Sequence, residues 1–368
     1  MDTVRLAFGQ CGSGLVGGVM ATEGPFVSEI QKSESISVAT FQFGRSGRND
    51  YSNVARFFGL LRDLGLYISL LVRYKPDVVH LNSAYFRPAL LRDPAYVVIS
   101  RLFKTPVFIK YHGSDASLLH AQKWPWRSLG RFCVNGAAGV GVLSTEEKRN
   151  FQTAGYSSGK IWQVKNAVNC ARFETAGEFQ RDNSQLLLIS RFIPEKGLLD
   201  SIEAMALVSK AAPNVILVCV GDGPDWERAQ RRVQDLGLEG KVRFTGRITE
   251  EETTRFYLTS SMLVFPTYFD EGFPMTLFQS LAAGLPVVTT RIRAAADFLE
   301  EPANCLWVAP QSPKDLATKI LFLLSRPHLM REMSANNRRL ARSFVPEVVT
   351  PEYLDIYRRI RGAVQADS

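Results

Sequence analysis

The stretch PTYFDEGFPMTLFQSLAAGLPVV, Pro266 to Val288, joins two apolar β-type runs, MLVF before it and PVVTT at its end. Within it, Asp270, Glu271 and Gly272 stand just ahead of a segment that the spacing predicts to be a helix, Met275 to Ala283. A helix start offers unpaired backbone N–H groups, here between Phe273 and Thr276, and these favour an anion. Beside them, a carboxylate at Glu271 is placed to accept hydrogen bonds from sugar hydroxyls. The plainer reading makes Glu271 a helix-start acid that only complements the dipole. The surrounding sequence has to choose between the two.

Outward from this stretch, short β-branched runs alternate with helix-length amphipathic segments along the whole chain, the pattern of parallel sheets with crossover helices. Strands are expected at VRLAF, SVATFQF, DVVHLN, PVFIKYH, GVGVLS and IWQVKN in the first half, and at QLLLIS, VILVCVG, VRFTG, MLVFPT and PVVTT in the second. The helix after VLS opens with Ser144-x-x-Glu147, a capping box. The polar, aperiodic segment from Phe173 to Ser184 reads as a linker. The fold class expected is therefore α/β, two Rossmann-like doubly wound domains. Residues 1–174 form the first and 178–345 the second, and the last segment, 346–368, packs back on the first. Ligands of such sheets bind at the carboxyl ends of the strands, so a central cleft is expected.

Two cations fall where this scheme needs them. The strand LLLIS ends at Arg191, and RFIPEKG then brings Lys196 and Gly197 to a helix start. Arginine forks onto phosphate oxygens while lysine acts as a point charge, so the pair suits a diphosphate, although both also suit a solvated loop. The next strand ends in VGDGP, a tight turn into a helix whose role reads as mainly architectural.

Composition narrows the class further. The chain has 368 residues, 46% of them hydrophobic, and its five cysteines show no C-x-x-C spacing, so neither a disulfide framework nor a zinc cluster is indicated. A reducing cytoplasm fits this usage. The N-terminus lacks a signal-peptide layout and no apolar run has the length of a membrane span. The net charge of +8 is unevenly placed: residues 1–176 hold 21 Lys/Arg against 12 Asp/Glu, whereas 177–368 hold 23 against 24. That asymmetry points either to an anionic partner of the first half, a lipid surface or nucleic acid, or to a solvated basic face.

Near the start, Gly12, Gly14 and Gly17 spell G-x-G-x-x-G after the first strand. This is the spacing of a dinucleotide fingerprint. A dinucleotide site also needs an acid at the end of the second strand, and SVATFQFGRSG has none there.

Taken together, SRFIPEKG, VGDGP, VRFTGRI and DEGFPMTLFQSLAAGLPVVTT occur in the order and spacing of the GT4-type glycosyltransferases, and the chain resembles that family over most of its length. VVHLN, YHGSD, VLSTEEKRNF and KNAVNCARF resemble its weaker N-domain landmarks. The resemblance implies a GT-B fold, a nucleotide-diphosphate sugar as donor, retention of anomeric configuration, and no metal or other cofactor. It further implies that Arg191 and Lys196 neutralise the leaving diphosphate, with amides near Gly17 and Gly18 facing it. His112 would lie near the transferred sugar, and Glu271, as the first acid of an E-x7-E motif, would hold sugar hydroxyls. The donor-binding set is then Gly17, Gly18, Arg191, Lys196, Glu271, Phe273, Pro274, Met275, Thr276 and Gln279.

Two departures stand out. Seven residues after Glu271 comes Gln279 in place of the second acid, the one that generally binds the ribose. After PVVTT, where relatives place a glycine pair, this chain has RIRAAADFLEE, with Arg291, Arg293 and Asp297 in an unfamiliar loop. The acceptor implied is a glycan or lipid-linked saccharide of surface polysaccharide assembly. The basic first half would then contact anionic membrane peripherally, with no nucleic acid bound. A sugar-nucleotide 2-epimerase of the same fold is the competing enzyme. It needs acid and base groups around the sugar, and the chain has only four histidines. An NAD-dependent enzyme and a basic binding protein without catalysis complete the alternatives.

Overall fold

The computed structural model describes residues 3–10, 18–44, 53–121, 124–174 and 181–366. The chain forms two compact units. The first comprises Met1–Ala167 together with Asp270–Phe273 and Pro346–Ser368, and the second comprises Val168–Phe269 with Pro274–Val345.

In the first unit, six parallel strands form one sheet: β1 (Val4–Gln10), β2 (Ile36–Gln42), β3 (Val78–Tyr85), β4 (Val107–Ser114), β5 (Gly139–Val142) and β6 (Ile161–Gln163). Their order is β2-β1-β3-β4-β5-β6, so the winding direction reverses between β1 and β3. Strands buried on both faces read as mostly apolar runs, and VVHLNSAY and VFIKYHGS each interrupt theirs with polar residues. These are His80, Asn82, Ser83, Lys110, His112 and Ser114, all buried except the half-buried His112. On one side of the sheet, Ala7, Val79 and Ile109 pack against the inner faces of three helices, through Tyr67, Tyr96 and Val134. On the other side, Phe26 and Phe108 meet Tyr353 of the helix Pro346–Ala366, Phe108 also meets its Tyr357, and Phe8 packs against Phe26.

The second unit repeats the architecture with β7 (Asp182–Ile189), β8 (Ile216–Val220), β9 (Val242–Gly246), β10 (Ser260–Phe265), β11 (Val287–Thr290) and β12 (Cys305–Val308). The order is β12-β11-β10-β7-β8-β9, with the reversal between β7 and β10. Two parallel doubly wound sheets are the α/β class read from the sequence. Two details differ. The strand CLWV was not anticipated, because four residues between Pro302 and Pro310 give no periodicity to read. The segment expected to link the domains begins inside a short helix, Ala171–Glu174, whose Phe173 is buried, and ends inside β7. At its start the burial of Phe173 outweighs the polar composition, and at its end the polar residues 182–184 are carried into the start of β7 by the apolar run that follows.

Candidate active site

In an open α/β sheet the carboxyl ends of the strands on either side of the reversal diverge, and their loops frame a crevice. In the second unit those strands are β7 and β10. Beyond β7 the chain runs through Arg191, whose side chain is exposed, to Phe192, which is fully buried. The turn after β8 clasps this passage: Phe192 N donates to Asp222 O at 2.7 Å, and Asp225 N donates to Phe192 O at 3.0 Å. A β-carbon on Gly221 would lie 1.9 Å from Ser190 O, and one on Gly223 would lie 2.4 Å from Phe192 O. The VGDGP turn is thus glycine-rich because backbone crosses backbone there.

A single turn of 3₁₀ helix, Pro194–Lys196, then leads to Gly197, which is left-handed at φ +72° and opens the helix Leu198–Ala211. A β-carbon on Gly197 would sit 2.7 Å from Pro266 O, in the loop after β10. The two loops are laced together, since Glu195 O accepts from Tyr268 N at 2.8 Å and from Thr267 Oγ1 at 3.1 Å. Lys196 is 8% exposed, with Nζ 4.8 Å from the Phe269 ring centre and 5.7 Å from that of Phe265. The negative faces of those rings favour the ammonium, which holds the side chain in place at a helix start. Strand β11 braces the same loops, Thr289 donating to Phe265 O at 2.8 Å and Thr290 to Thr267 O.

The helix predicted after the acidic pair spans Met275–Ala282, with Met275, Leu277 and Phe278 buried and Thr276 and Gln279 half-buried. Tyr257 Oη donates to Thr276 O at 3.2 Å and to Gln279 Oε1 at 3.4 Å, which turns the Gln279 carbonyl toward the tyrosine. In the unfamiliar loop, Arg293 is 3% exposed, has φ +47° and starts the short helix Arg293–Phe298, while the Arg291 guanidinium lies 6.0 Å from the Trp307 ring centre. A cavity of about 500 Å³ lined by Arg181, Ser261, Pro286 and Arg338 lies at the opposite, amino ends of the strands and is not part of this site.

In the first unit the reversal lies between β1 and β3, and Asn82 spans it: its Nδ2 donates to Gly9 O at 3.0 Å. That bond fixes the amide orientation and leaves Asn82 Oδ1 as acceptor for two imidazoles, His112 Nε2 at 3.0 Å and His80 Nε2 at 3.2 Å. Both histidines therefore carry the proton on Nε2. His80 Nδ1 accepts from Tyr357 Oη at 2.6 Å. Burial, then the Lys110 charge, then the neighbouring His80 hold His112 well below the usual histidine pKa, so it is neutral. Burial pushes Lys110 down to about 7.

The acidic pair Asp270–Glu271 belongs to this unit. Gly272 N donates to His112 O at 3.3 Å, and Gly113 is so close that a β-carbon on it would be 3.0 Å from Asp270 O. Beneath them Glu147 is fully buried and accepts from Ser114 Oγ at 3.0 Å, Ser144 Oγ at 3.1 Å and Leu143 N at 3.2 Å. The capping box thus also joins a helix start to the end of β4. The His112 carbonyl is thus bonded directly to the chain neighbour of Glu271, 160 positions away in sequence. Gly18 opens the helix Gly18–Gln31, whereas Gly12, Gly14 and Gly17 lie outside the described residues.

Of the expected residues, the fold brings Arg191, Lys196, Thr276 and Gln279 to one reversal, and His112 with the Glu271–Phe273 segment to the other. Sequence reading missed Asn82 as a functional position. Its signal was a buried polar residue inside a strand, two positions after His80.

Two doubly wound parallel units, each with polar or charged groups at its reversal, are the architecture of the GT-B class. The comparisons agree. The model of Glycosyl transferases group 1 matches residues 172–340, and that of the Glycosyl transferase 4-like domain matches 21–167, so that between them they take in most of the chain. The chain belongs to this family of glycosyltransferases. It is 25% identical to the lipopolysaccharide core biosynthesis glycosyltransferase LpsD of Rhizobium meliloti over 86% of this chain and 88% of that protein. In fold it is similar to the sucrose-phosphate synthase of Thermosynechococcus elongatus, with a TM-score of 0.78 at 18% identity over 98% of this chain and 100% of the other. It is also similar to Anabaena Alr3699/HepE, solved with UDP and glucose, with a TM-score of 0.73 at 16% identity over 96% and 99%.

Proposed function

We propose that this glycosyltransferase moves a sugar from a UDP- or GDP-type nucleotide sugar to a glycan or lipid-linked saccharide, with retention of anomeric configuration and without a metal. The observation that carries the reading is the laced pair of loops at the β7–β10 reversal, which fixes Lys196 at a helix start in the same loop as Arg191. As the sugar–phosphate bond breaks, charge grows on the departing diphosphate. A cation and helix amides already in place stabilise that charge without reorganising. The UDP and glucose bound by Alr3699/HepE, and the part LpsD is named for in lipopolysaccharide core synthesis, support the donor class and the acceptor class.

In this scheme Arg191 and Lys196 hold the diphosphate, while Glu271 and the segment Phe273–Thr276 hold the donor sugar and its phosphates. Gln279 meets the ribose through its amide. His112, neutral and fixed by Asn82, offers its Nδ1 lone pair and its backbone carbonyl near the transferred sugar. The residues 1–174 choose the acceptor and 178–345 bind the donor. A thermal-shift screen of UDP, GDP and ADP sugars tests this, since a ligand that binds only the folded form raises its stability. Stabilisation by one nucleotide class, lost in Lys196→Ala with Arg191→Ala, is the expected result. An unchanged shift in that double variant would remove the assignment. Transfer measured with and without chelator tests the absence of a metal, and the anomeric proton coupling of the product tests retention. Incubating donor alone separates transfer from 2-epimerisation, because only an epimerase alters the sugar without acceptor.

A further inference from the structure

The positive excess of the first half is concentrated in one layer. Three helices, Asn53–Tyr74, Arg87–Leu102 and Trp126–Gly136, pack on the same side of the first sheet, because Tyr67, Tyr96 and Cys133 share one core cluster. The first two are joined by Tyr67 Oη to Ser100 Oγ at 2.5 Å. Across all three the only acids are Asp63 and Asp93, against eight arginines, and neither acid is exposed. Asp93 is fully buried, bonded to Ser83 and paired with Arg92, and Asp63 is held by Arg62 at 3.1 Å.

The outward faces are not simply basic. On the first helix Phe58, Leu61, Ile68 and Val72 form an exposed stripe, with Phe58 64% exposed, and Arg73 stands exposed beside them. On the second, Leu91, Val98 and Leu102 recur at helical spacing, with Leu102 77% exposed, next to exposed Arg101 and Lys104. Isolated exposed apolar residues need no explanation. Two parallel stripes on touching helices, edged by cations and free of exposed acids, do.

We infer that this helical layer of the first unit docks on an anionic lipid bilayer, the aliphatic stripes entering the headgroup–acyl boundary and the flanking arginines and Lys104 meeting lipid phosphates. Apolar area and cationic charge act together in interfacial binding, each weak alone. The choice of partner follows from the side chains. Apart from Phe58 the stripes are leucine, isoleucine and valine, which gain nothing against a nucleic-acid backbone, whose recognition uses cations and rows of stacking rings. A second copy of the same face would set cation against cation. Among the described residues no helix is long and apolar enough to cross a membrane, so this contact is interfacial. The inference rests on the surface of the first unit alone and is independent of the chemistry proposed above.

Flotation of the full chain with vesicles of neutral phosphatidylcholine, and of the same lipid with one-third phosphatidylglycerol, tests it. Strong preference for the anionic vesicles, weakened by 0.5 M salt, is expected. Phe58→Ser with Leu91→Ser and Leu102→Ser should lower partitioning at least tenfold at every salt concentration. Arg101→Glu with Lys104→Glu should abolish the anionic preference. Thermal unfolding and donor-induced stabilisation serve as controls, because neither set touches the proposed donor site. Equal flotation with both vesicles, or wild-type flotation by both variants, overturns the inference. So does single-stranded oligonucleotide binding that is lost in the apolar variant while vesicle binding is absent.

Discussion

Asn82 Oδ1 accepts from His112 Nε2 at 3.0 Å while Asn82 Nδ2 donates to Gly9 O at 3.0 Å, so one side chain sets both the tautomer and the orientation of the imidazole. Removing this clamp should be felt in turnover before it is felt in folding. Asn82→Ala is expected to lower kcat at least tenfold, with a smaller change in donor KM. Asn82→Asp puts a carboxylate against both imidazoles and should raise their pKa, moving the acid limb of the kcat profile to higher pH. A pH–rate profile of both variants identical to wild type would detach His112 from the reaction.

Glu271 and Gln279 offer a second contrast. Gln279 keeps a carbonyl acceptor, already oriented by Tyr257, so restoring an acid changes a neutral hydrogen bond into a charge-assisted one worth about 1 kcal/mol. Gln279→Glu should therefore leave turnover within an order of magnitude, whereas Glu271→Ala should nearly abolish it. Equal and severe losses in steady-state assays of both would contradict the roles given to them.

Two glycines are fixed by geometry. At Gly197 a β-carbon meets Pro266 O at 2.7 Å and φ is +72°, so Gly197→Ala combines a clash with left-handed strain. It should cost about 1–3 kcal/mol of stability and weaken donor-induced stabilisation, because it forces the two laced loops apart. Gly272→Ala would press on Glu147 Oε2 at 2.6 Å and Leu143 Cβ at 3.0 Å, with the carboxylate pinned by its three donors. A comparable loss is expected there, read as a drop in the denaturation midpoint. Gly237, whose added β-carbon meets nothing, is the control for the strain of a positive φ alone.

The buried cluster also predicts a pH dependence of stability. His80 and His112 are held well below 6.5 by burial, so the unfolded chain takes up protons that the folded one refuses. Their contribution is intact above pH 6.5 and is lost as pH falls through it. Lys110, down at about 7 against 10.5 when unfolded, acts in the same sense at higher pH, and stability rises between those values. One full proton corresponds to about 1.4 kcal/mol per pH unit. The melting temperature should climb from pH 5 to pH 9, and Lys110→Met should flatten the climb above pH 7. A melting temperature that falls with pH in this interval would reverse the sign assigned to the cluster.

Much of this was present in the sequence. Alternation of apolar runs with amphipathic segments dictated parallel strands and crossover helices, since a strand buried on both faces must be apolar throughout and a covering helix apolar on one side. The cation at a helix start and the acid pair before Met275 were legible because their chemistry depends on near neighbours in the chain. CLWV escaped because a strand of four residues has too few positions to show a period. Asn82 escaped because its function is to be reached by His112, 30 residues away, and by Gly9, 73 residues before it.

Local spacing therefore determined the elements and the types of side chain at their ends. Which ends meet was decided only by tertiary structure. The reversal of strand order between β1 and β3, and between β7 and β10, brings distant loops together. The second reversal joins the backbones of Glu195 and Tyr268, and the packing of Asp270–Phe273 into the first unit joins those of His112 and Gly272. A hydrogen bond requires approach to about 3 Å, and no pattern of neighbours along the chain specifies such a distance between residues far apart in it.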